Sequence, residues 1–386
     1  MRDDGSSTVD REAIGTAQQL YDGALLPDAQ VRTLKNLHRL FPTRTVRHAG
    51  TPLLIPAAEH ALKNAQFTSN GREFDLYDYV SLNRVSGLLI IKGGRRVFET
   101  YQLGTDQHTR WASMSVVKSI TATLIGAAIK DGHIASIDDP VARYVGALSG
   151  SAYDDVTIRQ LLQMTSGVQW DETYTDPRSD RRRMLEIQNT QQPGAVIAMM
   201  ATLPRAAAPG TRWNYSTGET HVAGALLHAA VGRPLSDYLA DRIWTKVGME
   251  SDATWWLESP GGLEVGGSGL SATLRDYGRF GLFLLAGGQV GDERILPDRW
   301  IADAGSARLV NGRQVDYGYM LWPIPNAAGT INEGAFEARG IFGQHIYMNP
   351  REQLVIVVWG ALPKPKGKAP IYDDDFFAAV ARAVAR

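Results

Sequence analysis

The sequence predicts an α+β fold in which an antiparallel sheet flanked by helices is built from both ends of the chain, with a mostly helical lobe inserted between them. Three observations predict it. Strand-like runs around a turn cluster fall at Ser86–Leu103, helical spacing and helix-start signals fill the middle, and strand-like runs return near the C-terminus before a closing helix. At 386 residues the chain exceeds the usual single-domain size, so two packed lobes sharing one core are expected.

Residues 1–80 are read as an N-terminal extension packing on the sheet lobe, with a helix from Asp28 to Leu40 and no assigned chemistry. The sheet lobe is expected at 81–130 and 290–386, and the helical lobe at 131–289. In the first hairpin, Leu88–Ile91 and Val97–Tyr101 flank Lys92-Gly93-Gly94-Arg95, a turn-forming cluster. From Ser115 to Lys130, Val117, Ile120, Leu124 and Ala128 recur at helical spacing and Asp131-Gly132 supplies the stop, which puts Ser115 at a helix start. Thr157-x-x-Gln160 and Thr273-x-x-Asp276 read as capping boxes. Gly340–Met348 and Leu354–Trp359 read as strands separated by Asn349-Pro350-Arg351-Glu352, and Asp373–Ala385 as a helix. Pro363-Lys364-Pro365-Lys366-Gly367-Lys368 is the only biased stretch and reads as a solvated surface loop.

Composition narrows the function classes. A formal net charge of -1 gives no electrostatic handle for nucleic acid, and Cys 0 excludes disulfides, thiol catalysis and thiolate metal ligands. Met1–Leu20 lacks an apolar h-region and no run has the length of a membrane span, so a cytoplasmic protein with no membrane partner is expected, periplasmic if an export signal was removed. His38, His48, His60, His108, His133, His221, His228 and His345 form no H-E-x-x-H or close ligand cluster, so neither metal nor cofactor is expected. No interface signature separates a monomer from a homodimer.

Chemistry is concentrated at Ser115-Val116-Val117-Lys118, the only S-x-x-K in the chain. A spacing of three on a helix puts both side chains on one face, one turn apart, so a neutral lysine amine reaches the serine hydroxyl. Serine alone is a weak nucleophile, and the partial positive charge at a helix start favours both a developing alkoxide and a lowered lysine pKa. The helix is apolar, so Lys118 is expected to be buried, which demands a reason. No G-x-S-x-G elbow occurs, which sets aside a Ser-His-Asp hydrolase.

With these residues the chain resembles the serine β-lactamase and penicillin-binding-protein superfamily, including class C β-lactamase-like enzymes and family VIII esterases, whose S-x-x-K opens a central helix. Asp138-Asp139-Pro140-Val141 and the run from Val156 to Gly167 are similar to the segment between that family's first two motifs. Pro209-Gly210 and Trp213–Gly218 resemble its second motif, and Thr273–Gly281 a downstream helix. The resemblance implies a β-lactamase/DD-peptidase-like fold with Ser115, Lys118 and Tyr215 as the catalytic group, Tyr215 shuttling the proton. The usual Y-x-N becomes Tyr215-Ser216-Thr217, and the K-T-G register is occupied by Ala338-Arg339-Gly340-Ile341, without the lysine. The resemblance implies an oxyanion hole from the backbone N–H groups of Ser115 and Ile341.

Within the superfamily, Asp171-Glu172-Thr173-Tyr174-Thr175-Asp176-Pro177-Arg178-Ser179 and Gly340-Ile341-Phe342-Gly343-Gln344 resemble segments of the 6-aminohexanoate-dimer hydrolases. That implies a small-molecule ester or amide substrate contacted by Tyr174, Arg339, Gly340 and Phe342, with Tyr174 donating a hydrogen bond to the scissile nitrogen. The alternatives are a β-lactamase or D-Ala-D-Ala peptidase, or a penicillin-binding sensor that does not turn over. Tryptophans including Trp170, Trp213, Trp255, Trp256 and Trp322 line either an apolar cleft or the core.

Overall fold

Strict alternation along the central strands decides the layering. In the strand Val85–Lys92, Leu89 and Ile91 enter one apolar cluster while Leu88 and Ile90 enter another on the opposite face. Leu354–Gly360 repeats this, with Val355, Val357 and Trp359 on one side and Leu354 and Ile356 on the other. A strand buried on both faces reads as a continuous apolar run, and both do. A computed structural model describes residues 12–367 and 369–385. Residues 1–11 of the polar start, Lys368 of the basic loop and Arg386 lie outside the described residues.

The main sheet is antiparallel and six-stranded, in the order Trp322–Pro323, Phe336–Gly340, Gln344–Asn349, Leu354–Gly360, Val85–Lys92, Arg95–Tyr101. The fold is therefore α+β. The first hairpin forms as expected, with Gly93 and Gly94 at φ 55° and 75° supplying the turn. Gly340–Met348 is not one strand. Gly340 pairs with Gln344 across a three-residue turn in which Phe342 and Gly343 have φ 70° and 86°, so the ladder reverses there.

Helix Val116–Lys130 runs through the centre, with Val117, Ile120, Leu124 and Ala128 fully buried, and packs on Thr217–Val231 and on the strand Phe336–Gly340. Helix Asp373–Val384 covers the other sheet face through Phe376, Phe377 and Val380. Helix Leu274–Leu285, which the sequence reading groups with the helical lobe, lies on the main sheet against Val85–Lys92, Gln344–Asn349 and Leu354–Gly360. Its start is not a full capping box. Thr273 accepts from the Asp276 N–H, but the Asp276 carboxylate is engaged by the N–H groups of Glu250 and Ser251 at 2.8 and 3.1 Å. Thr157 and Gln160 do form the reciprocal box.

The N-terminal extension touches more than the sheet lobe. Its hairpin Gln66–Ser69 and Arg72–Asp75 packs against Asp373–Val384, but Thr43–Val46 pairs with Ala253–Trp256 in a second, four-stranded sheet. The helix expected at Asp28–Leu40 runs Pro27–Lys35 and yields to a 3₁₀ turn at Leu37–Arg39, because Asn36 leaves helical backbone at φ -119° and bonds the Arg32 carbonyl through its amide. No helix among the described residues is long and apolar enough to cross a membrane.

Candidate active site

The chain enters the central helix through a constrained residue. Met114, buried at φ 47°, turns the backbone so that Ser115 follows at the N-cap of Val116–Lys130. One turn on, Lys118 Nζ lies 2.9 Å from Ser115 Oγ and donates to the Gly267 carbonyl at 2.9 Å. Lys118 is 1% exposed. Burial pushes its ammonium down from 10.5 to about 7, with Glu172 opposing and Arg181 adding to the shift.

Tyr215 completes the group. The Lys118 ammonium nitrogen stands 5.1 Å from the centre of its ring, and Ser115 hydrogen-bonds its phenol. Burial raises that phenol well above its ordinary range, Glu172 reinforces the rise, and the bond from Ser115 opposes it. Ser216 caps the following helix by accepting from the Glu219 N–H, which fixes Tyr215 just before the helix Thr217–Val231.

The strand Phe336–Gly340 ends beside Ser115. A Cβ at position 340 would sit 2.5 Å from the Ser113 carbonyl oxygen and 3.1 Å from the Ser115 nitrogen, so only glycine lets the strand come this close. Neither the Ser115 N–H nor the Ile341 N–H is used in a backbone hydrogen bond among the described residues.

These groups open on a cleft of about 490 Å³ lined by Ser115, Glu172, Tyr174, Trp213, Tyr215, Trp322, Arg339, Gly340, Ile341, Pro365, Lys366 and Gly367. One wall is aromatic: Trp322 packs 6.0 Å from Trp213, 5.7 Å from Tyr215 and 4.7 Å from Tyr317. Of the residues singled out from sequence, Ser115, Tyr215, Tyr174, Arg339, Gly340 and Ile341 meet at this cleft, and Lys118 lies directly behind Ser115. Phe342 does not. Its positive φ turns the ring inward, where it is 1% exposed and packs in the core.

Arg339 reaches the cleft already paired. Its guanidinium bonds Glu337, lies 3.4 Å from Asp374 and stands 5.6 Å over the Trp322 ring. Thr217, in the place of the family's amide, spends its hydroxyl on Glu172 at 2.5 Å.

Three contributors escaped the sequence reading. The Gly267 carbonyl that holds Lys118 carries no side-chain signal. Glu172 accepts from Trp170 Nε1 at 2.5 Å and the Thr217 N–H at 2.9 Å, and its charge bears on Lys118, Tyr174 and Tyr215. Pro365, Lys366 and Gly367, read as solvated loop, form part of the cleft wall, with the Lys366 ammonium 5.2 Å from the Tyr174 ring centre. No cluster of metal-ligating side chains occurs among the described residues.

A family model described as Beta-lactamase matches residues 83–375. A 6-aminohexanoate-dimer hydrolase of Paenarthrobacter ureafaciens is 27% identical over 306 residues, covering 75% of this chain and 76% of the relative. A Bacillus anthracis structure provisionally assigned as a 6-aminohexanoate-dimer hydrolase superposes with TM-score 0.80 at 20% identity, covering 96% of this chain and 97% of that one. The structure of a family VIII carboxylesterase superposes with TM-score 0.59 at 17% identity, covering 77% of this chain and 91% of that one.

Proposed function

This chain belongs to the beta-lactamase family and is a hydrolase of the serine β-lactamase superfamily, and from that premise we propose that Ser115 is the nucleophile that splits an amide or ester bond through an acyl-enzyme. One observation carries the reading: a buried amine pushed down to about 7 lies 2.9 Å from a hydroxyl at the wall of an aromatic cleft. An amine with that pKa is largely unprotonated just above neutrality, so Lys118 accepts the Ser115 proton as Oγ attacks the carbonyl carbon. Tyr215, bonded to Ser115, relays a proton to the departing amine or alcohol. Water then attacks the acyl carbon with the same pair as base, and the acid leaves.

The N–H groups of Ser115 and Ile341 receive the oxyanion, a role supported by their proximity across Gly340 and by the absence of other acceptors for them among the described residues. Each such donor is worth about 10²- to 10³-fold in turnover. Tyr174 on the facing wall donates to the scissile nitrogen, which favours amine departure.

Amides and esters are preferred here to β-lactams. Ala338 stands where the family's K-T-G has lysine, and Arg339 is committed to Glu337 and Asp374, which leaves that strand no free cation for a carboxylate. The likeness to a relative that splits a 6-aminohexanoate dimer favours linear amides. The test is intact-protein mass spectrometry with a fluorophosphonate, followed by turnover of 6-aminohexanoate dimer, 4-nitrophenyl butyrate and nitrocefin. Expected are labelling at Ser115, turnover of the first two substrates, and loss of both activities by several orders of magnitude in Ser115→Ala with folding intact. Near-normal activity in that variant would overturn the assignment.

A further inference from the structure

We propose that the N-terminal helix Ala17–Asp22, which lies outside the matched residues 83–375, is a working part of the cleft, and that its Tyr21 is the positioning residue for Tyr174. The inference rests on the amide-hydrolase reading above and names what sets the geometry of that site.

The observations converge on two adjacent residues. Tyr21 is 1% exposed, and its ring stacks on that of Tyr174 with centroids 6.0 Å apart and planes 14° from parallel. Its hydroxyl accepts from Arg181 Nη2, and the same guanidinium lies 4.4 Å from the ring centre. Asp22 grips the loop one residue on: it pairs with Arg182 Nη1 at 2.5 Å, and that nitrogen also donates to the Tyr174 carbonyl at 3.1 Å. Side chain and backbone of Tyr174 are thus held from the same helix.

Arg181 explains why this hold matters. It is 3% exposed, makes no ion pair among the described residues, and its Nε and Nη1 have no hydrogen-bond partner. A buried guanidinium in this condition depends on what compensates it, here first the oxygen and the π-face of Tyr21 and then the charge of Glu172. Removing that ring takes from Arg181 its one side-chain hydrogen bond among the described residues and leaves Tyr174 unstacked, so the segment 171–182 has reason to rearrange. Tyr174 serves the departing amine, whereas a 4-nitrophenolate departs without such help. Loss of Tyr21 therefore acts on amides rather than on activated esters.

The experiment compares Y21A, Y21F, Y174F and the double variant Y21A/Y174F on 6-aminohexanoate dimer and on 4-nitrophenyl butyrate, with near-UV circular dichroism to verify folding. We expect Y21A to lower kcat on the dimer about tenfold or more, as misplacement of a positioned group does, with ester turnover within about twofold. Y21F, which keeps the stack, should recover part of the loss. In the Y174F background, Y21A should cost nothing further on the dimer. Equal losses on both substrates, or an additive double variant, would overturn the inference while fluorophosphonate still labels Ser115. If Y21A does not fold, Y21F decides: a loss on the dimer no larger than on the ester overturns the inference. Failure of the wild type to label would instead sink the nucleophile assignment, and this inference with it.

Discussion

Replacing Lys118 with methionine should abolish turnover and yet stabilise the fold in mild acid, a combination expected of an amine held neutral by burial. The drop from 10.5 to about 7 corresponds to roughly 5 kcal/mol at about 1.4 kcal/mol per pH unit. Below about pH 7 the amine is protonated in both folded and unfolded chains, so the fold bears the whole desolvation cost. Between about 7 and 10.5 the unfolded chain keeps a proton that the folded chain has released, so stability rises with pH across that window. Methionine preserves most of the volume but leaves the Gly267 carbonyl unpaired and loses the Ser115 contact, together costing about 2 kcal/mol. Lys118→Met should therefore exceed the parent by about 3 kcal/mol near pH 6, with the advantage gone near pH 9. Urea titrations followed by tryptophan fluorescence at both pH values measure this. A variant less stable than the parent near pH 6, or a difference that does not change with pH, refutes the reasoning.

Other outcomes follow from the same geometry. Turnover of 4-nitrophenyl butyrate should rise with pH through a midpoint near 7 as Lys118 loses its proton, and a pH–rate profile checks it. Gly340→Ala places a methyl 2.5 Å from the Ser113 carbonyl oxygen and 3.1 Å from the Ser115 nitrogen, and should lower kcat about 100-fold with a much smaller change in melting temperature. Burial raises the Glu219 carboxyl from 4.5 to about 8, its bond from Ser166 opposing, so stability present below about 4.5 is lost as pH rises through about 8. Glu219→Gln removes that loss: its stability relative to the parent should grow by a few kcal/mol between those limits, measured by denaturant titration.

What the sequence made legible is what obeys short-range rules. The Gly93-Gly94 hairpin, the Thr157 capping box and the all-round apolar helix after Ser115 follow from local spacing and turn chemistry. Three residues apart on one helix, Ser115 and Lys118 had to meet, and they do. The Gly340–Met348 run reads as one strand because Ile341 and Phe342 continue an apolar strand pattern, while the reversal depends on a positive φ at Phe342 that such a residue does not announce. That reversal also removes Phe342 from the cleft. The Pro363–Gly367 loop and Glu172 were invisible for another reason: their place beside Tyr174 and Thr217 depends on contacts between segments far apart in the chain.

Those long-range contacts also account for how the base is kept neutral. Burial is the largest cause of the Lys118 shift, and Glu172 and Arg181 act on it with opposite sign. The two charges are held from different parts of the chain. Glu172 is fixed by Trp170 and Thr217, inside the helical region, whereas Arg181 is held chiefly by Tyr21 from the N-terminal extension. The extension then bears on the cleft through Tyr21, whose ring stacks on Tyr174 and whose hydroxyl holds Arg181. A segment remote in sequence from Ser115-x-x-Lys118 thereby bears on the leaving-group side of the cleft and not on the nucleophile and its base.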